Sequence, residues 1–306
     1  MVNSSIAPNY QIIVNGKDVT ASIKPCLISL SITDNHKDEA DTLELMLSKK
    51  FKRPNYGDEI KVYLGWGSNI RFAGLFFFQK STLINNKQLT IQATGIDFTK
   101  GLKERRNKDY DVSLNEVVKI IAERHGLTVK TNMNVGTRFD QKNESDMAFL
   151  NRMAKEYNAV FNIKNNTLYM MQKGADVPQV SLDINKCVSS EITHTNTTFY
   201  KSCKAIFHDT KLNKVVEAVV GEGVPILIKQ GKWLNKQQAL EAAKNALQRA
   251  NQGTAEGTVT IIGHVIFAGS ELLLDNERYQ IEKVTHNLSN GWLTDIQFKQ
   301  DGSTPV

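Results

Sequence analysis

At 306 residues, with 41% hydrophobic and 23% charged residues and no low-complexity tract, the chain has the make-up of a folded globular protein of about two domains, which excludes extended disorder. A formal net charge of +6 spread over this length serves solubility and does not single out a nucleic-acid binder. No apolar run approaches the ~18 residues that cross a bilayer, and the start, MVNSSIAPNYQIIVNG, lacks the basic and apolar regions of a secretory signal, so synthesis in the cytoplasm is expected.

From Tyr10 to about Gly95, short runs alternate apolar and polar residues: QIIVNG, LISLSIT, TLELMLS, EIKVYLGW, LFFFQKSTLI and LTIQATG. Period-two alternation predicts strands. Asn15-Gly16, Thr33-Asp34-Asn35, Pro54-Asn55-Tyr56-Gly57 and Asn85-Asn86 supply turn chemistry between them. The segment KGLKERRNKDY (100–110) is the densest basic run, but it also carries Glu104 and Asp109 and reads as a solvated face or linker, with phosphate contact as the alternative.

The period then changes to about 3.6. In VSLNEVVKIIAERHG, Leu114, Val117, Val118, Ile121 and Ala122 share one face, Ser113 and Glu116 have capping-box spacing, and Gly126 suits a left-handed helix end. A second helix is predicted within FDQKNESDMAFLNRMAKEYNAVF (139–161), where an acidic, amide-rich turn precedes the stripe Phe149, Leu150, Met153, Ala154 and Tyr157. Asn143 or Ser145 can cap it, with Asp146 beside its positive end. Strands AVFNI and TLYMMQ around Lys164-Asn165-Asn166 complete an α/β unit.

After Pro178 the strand pattern resumes in QVSLDI, SSEITHT, YKSCKAIFHD and KVVEAVVG, breaks for an Ala-rich helix at about 236–251 capped by Asn235 and Gln238, and returns from Gly257. The late block AGSELLLDNERYQIEKVTHNLSNGWLTDIQFKQ repeats the order of YGDEIKVYLGWGSNIRFAGLFFFQKSTLINNKQLTIQATG, which suggests an internal duplication.

Motifs for catalysis are absent. The six histidines never fall at the i, i+4 spacing of a zinc helix, no GxSxG, HExxH or phosphate-cradling glycine loop occurs, and Cys26, Cys187 and Cys203 read as buried thiols. Glu144 and Asp146 are the one carboxylate pair that glycan hydrolysis would use. Helix capping explains both, and proximity in sequence does not establish a cleft. No catalytic residue, cofactor or metal site is assigned.

The 139–161 segment resembles the signature of the phage late control protein D family, the baseplate hub proteins of contractile tails, through Gln141, Asn143, Glu144, Ser145, Asp146, Phe149, Leu150, Arg152, Ala154 and Tyr157. RPNYGDEIKVYLGWGSNIRFAGLFFF resembles a second family element through Pro54, Gly57, Asp58, Leu64, Gly65, Trp66 and Gly74, and the Ala-rich helix with RYQIEKVTH resembles its C-terminal block. Two departures stand out: Asn158 in place of a frequent glycine and Met153 in place of a usual leucine.

The resemblance implies a mainly β fold with an α+β insertion: a first tube-like β-barrel (1–104), an α/β insertion domain (105–176) and a second tube-like barrel (177–306) containing the helix. It implies a structural hub similar to the hub part of type VI secretion spikes, and not an enzyme. Such a hub is a homotrimer in the virion tail baseplate that joins a sixfold tail tube protein to a threefold central spike protein. It also meets the tape-measure protein, other baseplate proteins and, transiently and without specificity, DNA in its channel. A chain that ends at Val306 without a fused β-helix points to a separate spike subunit. The alternative function is a cell-wall-degrading or glycan-binding tail protein.

Overall fold

The structure is a computed structural model that describes residues 7–36, 39–48, 53–97, 101–172, 178–195, 200–209, 213–233, 235–251 and 255–300. The first block holds β1 (Pro8–Val14), β2 (Lys17–Asp18), a one-turn helix α1 (Thr20–Ile23), β3 (Leu27–Asn35), β4 (Thr42–Leu47), β5 (Glu59–Trp66), β6 (Asn69–Ile84) and β7 (Gln88–Thr94). Hairpin chemistry is local. Asn15-Gly16 and Asn165-Asn166 both lie at positive φ, as does Asp275-Asn276, so each closes a two-residue turn whose twist matches that of its strands.

The α/β insertion follows, with β8 (Arg105–Tyr110), α2 (Leu114–Arg124), β9 (Thr128–Thr131), β10 (Phe139–Ser145), α3 (Asp146–Glu156), β11 (Ala159–Lys164) and β12 (Thr167–Gln172). Both helices and both small sheets enclose one core, centred on Val117, Val118, Ile121, Phe149, Leu150 and Leu168. Thr33-Asp34-Asn35, expected as a turn, is the paired end of β3, and two segments of the insertion also differ from expectation. The basic run is strand β8, and the amide-rich turn is strand β10 paired antiparallel with it, from Tyr110↔Phe139 to Arg105↔Ser145. Charged and amide residues that are poor strand formers in isolation are tolerated here because only one face of the ribbon packs on the insertion core.

The last block contains β13 (Gln179–Leu182), β14 (Ser189–His194), β15 (Ser202–Asp209), β16 (Lys214–Gly221), β17 (Ile226–Gln230), α4 (Lys236–Ala250), β18 (Ala255–Ile262), β19 (Glu271–Leu274), β20 (Glu277–Leu288) and β21 (Trp292–Lys299). Helix α4 packs on the separate sheet β16-β15-β17, where Ala239, Ala243 and Ala246 meet Cys203, Ala205, Phe207 and Ala218. The small side chains of that helix face let it lie close to the sheet. Cys26 and Cys203 are buried as expected, whereas Cys187 is half-buried beside a short 3-10 turn.

The remaining strands form one 13-stranded sheet, and eight of them stand in the order β14-β18-β21-β20-β3-β4-β7-β6. Here the duplication is visible at single-residue level. Row Ser31–Glu44–Gln92–Lys80 of the first half matches row Glu191–Thr258–Gln297–Lys283 of the second. In both halves the register slips one residue before that lysine, at Gln79 in β6 and at Glu282 in β20. Such bulges bend a strand and free it to change partners. β6 passes from β5 to β7, and β20 passes from β19 to β3.

The fold is thus mainly β with an α/β insertion, and its sheets stay open. The two halves are joined edge to edge through β20 and β3, from Lys283↔Asn35 to Leu288↔Leu30. The join also mixes the cores, since Leu288 and Trp292 pack among Leu30, Ile32 and Phe76 of the first half.

Candidate functional site

The residues singled out from the sequence fall at joints between elements. In β10 the register slips between Gln141 and Glu144, with Asn143 at φ 49° and its amide held by Asn107 Oδ1 at 2.9 Å. An asparagine tolerates this left-handed conformation better than most residues. The chain then enters α3 with Ser145 as N-cap, its hydroxyl accepting from the Ala148 amide at 3.2 Å.

Asp146, read from sequence as a partner of the helix dipole, is buried. Its carboxylate accepts from Arg124 Nη1 at 3.0 and 2.8 Å and from Gln141 Nε2 at 2.9 Å, and stands 2.7 Å from His125 Nε2. Gln141 is fully buried, donates also to the Glu144 carbonyl at 3.0 Å and accepts from the Tyr110 hydroxyl at 3.2 Å. Burial works against the carboxylate's charge, but the bonds from Gln141, His125 and Arg124, together with the Arg124 charge, hold Asp146 below the ordinary carboxylate value. The cluster pins the end of α2 to the start of α3.

Glu144 points elsewhere. It pairs with Arg152 at 2.5 Å, and Arg152 also donates to the Asp140 carbonyl at 2.8 Å and lies over the Phe149 ring at 5.3 Å. Phe149 and Leu150 are core residues, and Tyr157 meets Phe139 edge-on. Asn158, where relatives of the resembled family often carry glycine, sits at φ 50°, which is why glycine or asparagine suits it. With both carboxylates engaged by arginines, no free acid/base pair exists at this turn.

The second signature group stands on the β5–β6 hairpin. Gly57 has φ 84° and donates to the Phe78 carbonyl at 3.0 Å, while Asp58 accepts from the Asn55 amide at 2.8 Å and from Asn15 Nδ2 at 3.0 Å. A Cβ on Gly65 would lie 1.9 Å from the Asn69 carbonyl oxygen, and one on Gly74 would lie 2.6 Å from the Phe76 ring. Trp66 reaches across to the second half, donating to the Gly263 carbonyl at 2.7 Å with its ring 5.6 Å from that of Trp292.

A third joint escaped the sequence reading. Lys164, at the tip of the β11–β12 hairpin, forms an ion pair with Asp34 and lies 3.8 Å from Asp41. Asp34 also accepts from the Ala268 amide at 2.8 Å, Asn162 donates to the Asn35 carbonyl at 2.8 Å, and Asn165 accepts from the Leu75 amide at 2.9 Å. All three parts of the chain meet here. Burial pulls the Lys164 amine down to about 7 and pushes the Asp41 carboxyl up to about 7, while the contact with Asp34 favours the charged lysine. The only sequence signal was a lysine closing the apolar run AVFNIK.

Among the described residues, no group of three or more His, Cys, Asp or Glu could hold a metal ion, and no helix is long and apolar enough to cross a membrane. Comparison with known proteins shows what the chain is similar to. A probable baseplate hub protein of Escherichia phage 186 is 27% identical, with the alignment covering 95% of this chain and 92% of that protein. Its counterpart in Escherichia phage P2 is 24% identical over 97% of this chain and 94% of that protein. The chain is similar over nearly its whole length to these two probable baseplate hub proteins. No family model matches it. The fold is shared with a 43 kDa tail protein of prophage MuSo2 from Shewanella oneidensis, at TM-score 0.74 and 15% identity over 97% of this chain and 99% of that one.

Proposed function

We propose that this chain is the structural hub of a phage or phage-like contractile tail, placed in the virion baseplate as a trimeric ring between the sixfold tail tube and the threefold central spike. It is a structural part and not an enzyme. The observation that carries the reading is the repeated four-strand unit, with matching strand order, register and bulge in both halves. Three chains carry six such units, so one ring offers sixfold quasi-symmetry to a tube and threefold symmetry to a spike. Full-length similarity to baseplate hub proteins supports the same role.

In this reading the two tube-like barrel domains are 1–104 and 177–306, with 105–176 inserted between them; the core clusters centred on the first half, the insertion and the second half, joined at Leu288 and Trp292, support that division. The signature residues Gln141, Glu144, Ser145, Asp146, Arg152, Gly65, Trp66 and Gly74 serve as joints that keep the insertion and the two halves at fixed angles. Partners are the spike protein, the tail tube protein, the tape-measure protein and other baseplate proteins. One face of the eight-strand stretch carries Thr33, Thr82, Gln92, Thr258 and Gln297, with Lys80 and Lys283 interspersed among Glu44 and Glu191. A channel lined by such a mixed, polar face would hold passing DNA only weakly and without sequence preference.

Light scattering on the purified chain, alone and co-expressed with the spike protein, tests the reading. Three copies of the 34.3 kDa chain per particle are expected, either alone or with the mass of the bound spike added. A monomer under both conditions refutes the ring.

A further inference from the structure

A cleft of about 460 Å³ lies where the end of α3 faces β17 and α4. Its volume is within the roughly 300–1,000 Å³ of small-ligand sites. Two hydrogen bonds tie its walls together: Asn158 Nδ2 donates to Gln248 Oε1 at 2.8 Å, and Arg249 Nη1 donates to the Lys155 carbonyl at 2.6 Å.

Each wall offers one aromatic ring that is held from behind. Tyr157, from the insertion, meets Phe139 edge-on with centroids 6.2 Å apart, and Trp233, from the last block, meets Phe207 edge-on at 6.0 Å. The Trp233 ring also lies so close to Gly231 that a Cβ there would be 2.6 Å from it. Both rings are half-buried and line the cleft, so packing fixes their orientation while part of each stays open.

Around the rings stand groups of both hydrogen-bonding senses. The carboxylates of Glu156 and Glu241 accept, the amines of Lys229 and Lys232 donate, and the amides of Gln230 and Asn245 do both. Among the described residues, no hydrogen bond or close ion pair within the chain engages these six side-chain ends. The two carboxylates act on one wall together: after burial, the charges of Glu156 and Glu241 raise the pKa of the Tyr157 phenol.

This lining selects a class of ligand. An apolar ligand would strip water from the polar ends and return no hydrogen bonds. An anion would meet two carboxylates, and a cation two amines. What fits is a neutral molecule with apolar faces and many groups that both donate and accept. Sugar hydroxyls do both, and sugar C–H groups suit the electron-rich face of an aromatic ring.

We propose that this cleft binds a saccharide, with Tyr157 and Trp233 as its stacking surfaces and Glu156, Glu241, Gln230 and Asn245 as hydrogen-bonding partners of its hydroxyls. A single chain carries the whole site, so the inference stands or falls independently of the trimeric ring.

The purified chain is titrated with the neutral trisaccharides maltotriose, cellotriose and triacetylchitotriose, by calorimetry and by tryptophan emission. Saturable binding of at least one, with a change in emission, is expected. Trp233→Ala should weaken it about tenfold or more. Because Trp233 also packs on Phe207, Glu156→Ala and Glu241→Ala, at exposed positions on opposite walls, test the site without touching a core. Each should weaken binding several-fold and leave the unfolding midpoint unchanged. No saturable binding of any of the three sugars overturns the proposal, and so does binding that both glutamate variants leave unchanged, which would place the sugar elsewhere on the chain.

Discussion

Replacing Asp146 with alanine separates two accounts of the turn before α3. If the carboxylate only complemented the helix end, its loss would cost about 1 kcal/mol, as cap and dipole partners do. The structure demands more. The side chain is 1% exposed, and the change strips partners from Arg124, His125 and Gln141 at once. Removing one member of a buried charged pair costs about 3–5 kcal/mol, and because the Arg124 side chain is 24% exposed and regains some water, about 3 kcal/mol is expected. Ser145→Ala, which removes only the acceptor for the Ala148 amide, should cost about 1 kcal/mol. Urea unfolding of both variants, read with hydrogen exchange across α2 and α3, measures the difference. The folded carboxyl is held below its ordinary 3.8, so its contribution is complete above that pH and disappears as pH falls through the lower folded value; the gap between wild type and variant should close there. An Asp146→Ala cost no larger than that of Ser145→Ala would refute the buried-cluster account.

Two other perturbations probe the joint between the halves. Gly263→Ala would set a Cβ 2.0 Å from the Trp292 ring and disturb the carbonyl that receives the Trp66 indole, so a loss of about 1–3 kcal/mol with red-shifted tryptophan emission is expected; an unchanged spectrum contradicts the packing described. His286 is buried between Thr294 and the Ile266 carbonyl, and burial lowers its pKa from 6.5 to about 4. The unfolded chain therefore takes up a proton before the folded one does, and stability that is full above pH 6.5 should fall by about 3 kcal/mol on the way to pH 4. His286→Gln should flatten that slope, and an equally steep slope in the variant would assign the loss to other groups.

Much of the local structure was legible from residue patterns, because the forces that select it act over a few residues. Alternation marked most strands, the stripe from Leu114 to Ala122 marked α2, and paired asparagines marked the hairpins, since left-handed turns need residues that bear positive φ. The segments β8 and β10 were missed for a physical reason. Arg-Arg-Asn-Lys-Asp and Asp-Gln-Lys-Asn-Glu have low strand propensity, and each is a strand only because the other pairs with it. Asp146 was placed at the right helix end but given too small a part, because Arg124 and His125 also suit the last turn of α2 and nothing local says that they face the next helix.

By itself the sequence determined element type, hairpin turns, helix caps and the outline of an internal repeat, all set by periodicity and by conformational preferences of single residues. Only the tertiary structure decided how far that repeat goes. Edge-to-edge pairing of β20 with β3, the shared core around Trp292, and the meeting of Lys164 with Asp34 depend on contacts between residues far apart in the chain. Such contacts come from burying apolar strand edges and satisfying charges removed from water. No window of a few residues contains both partners.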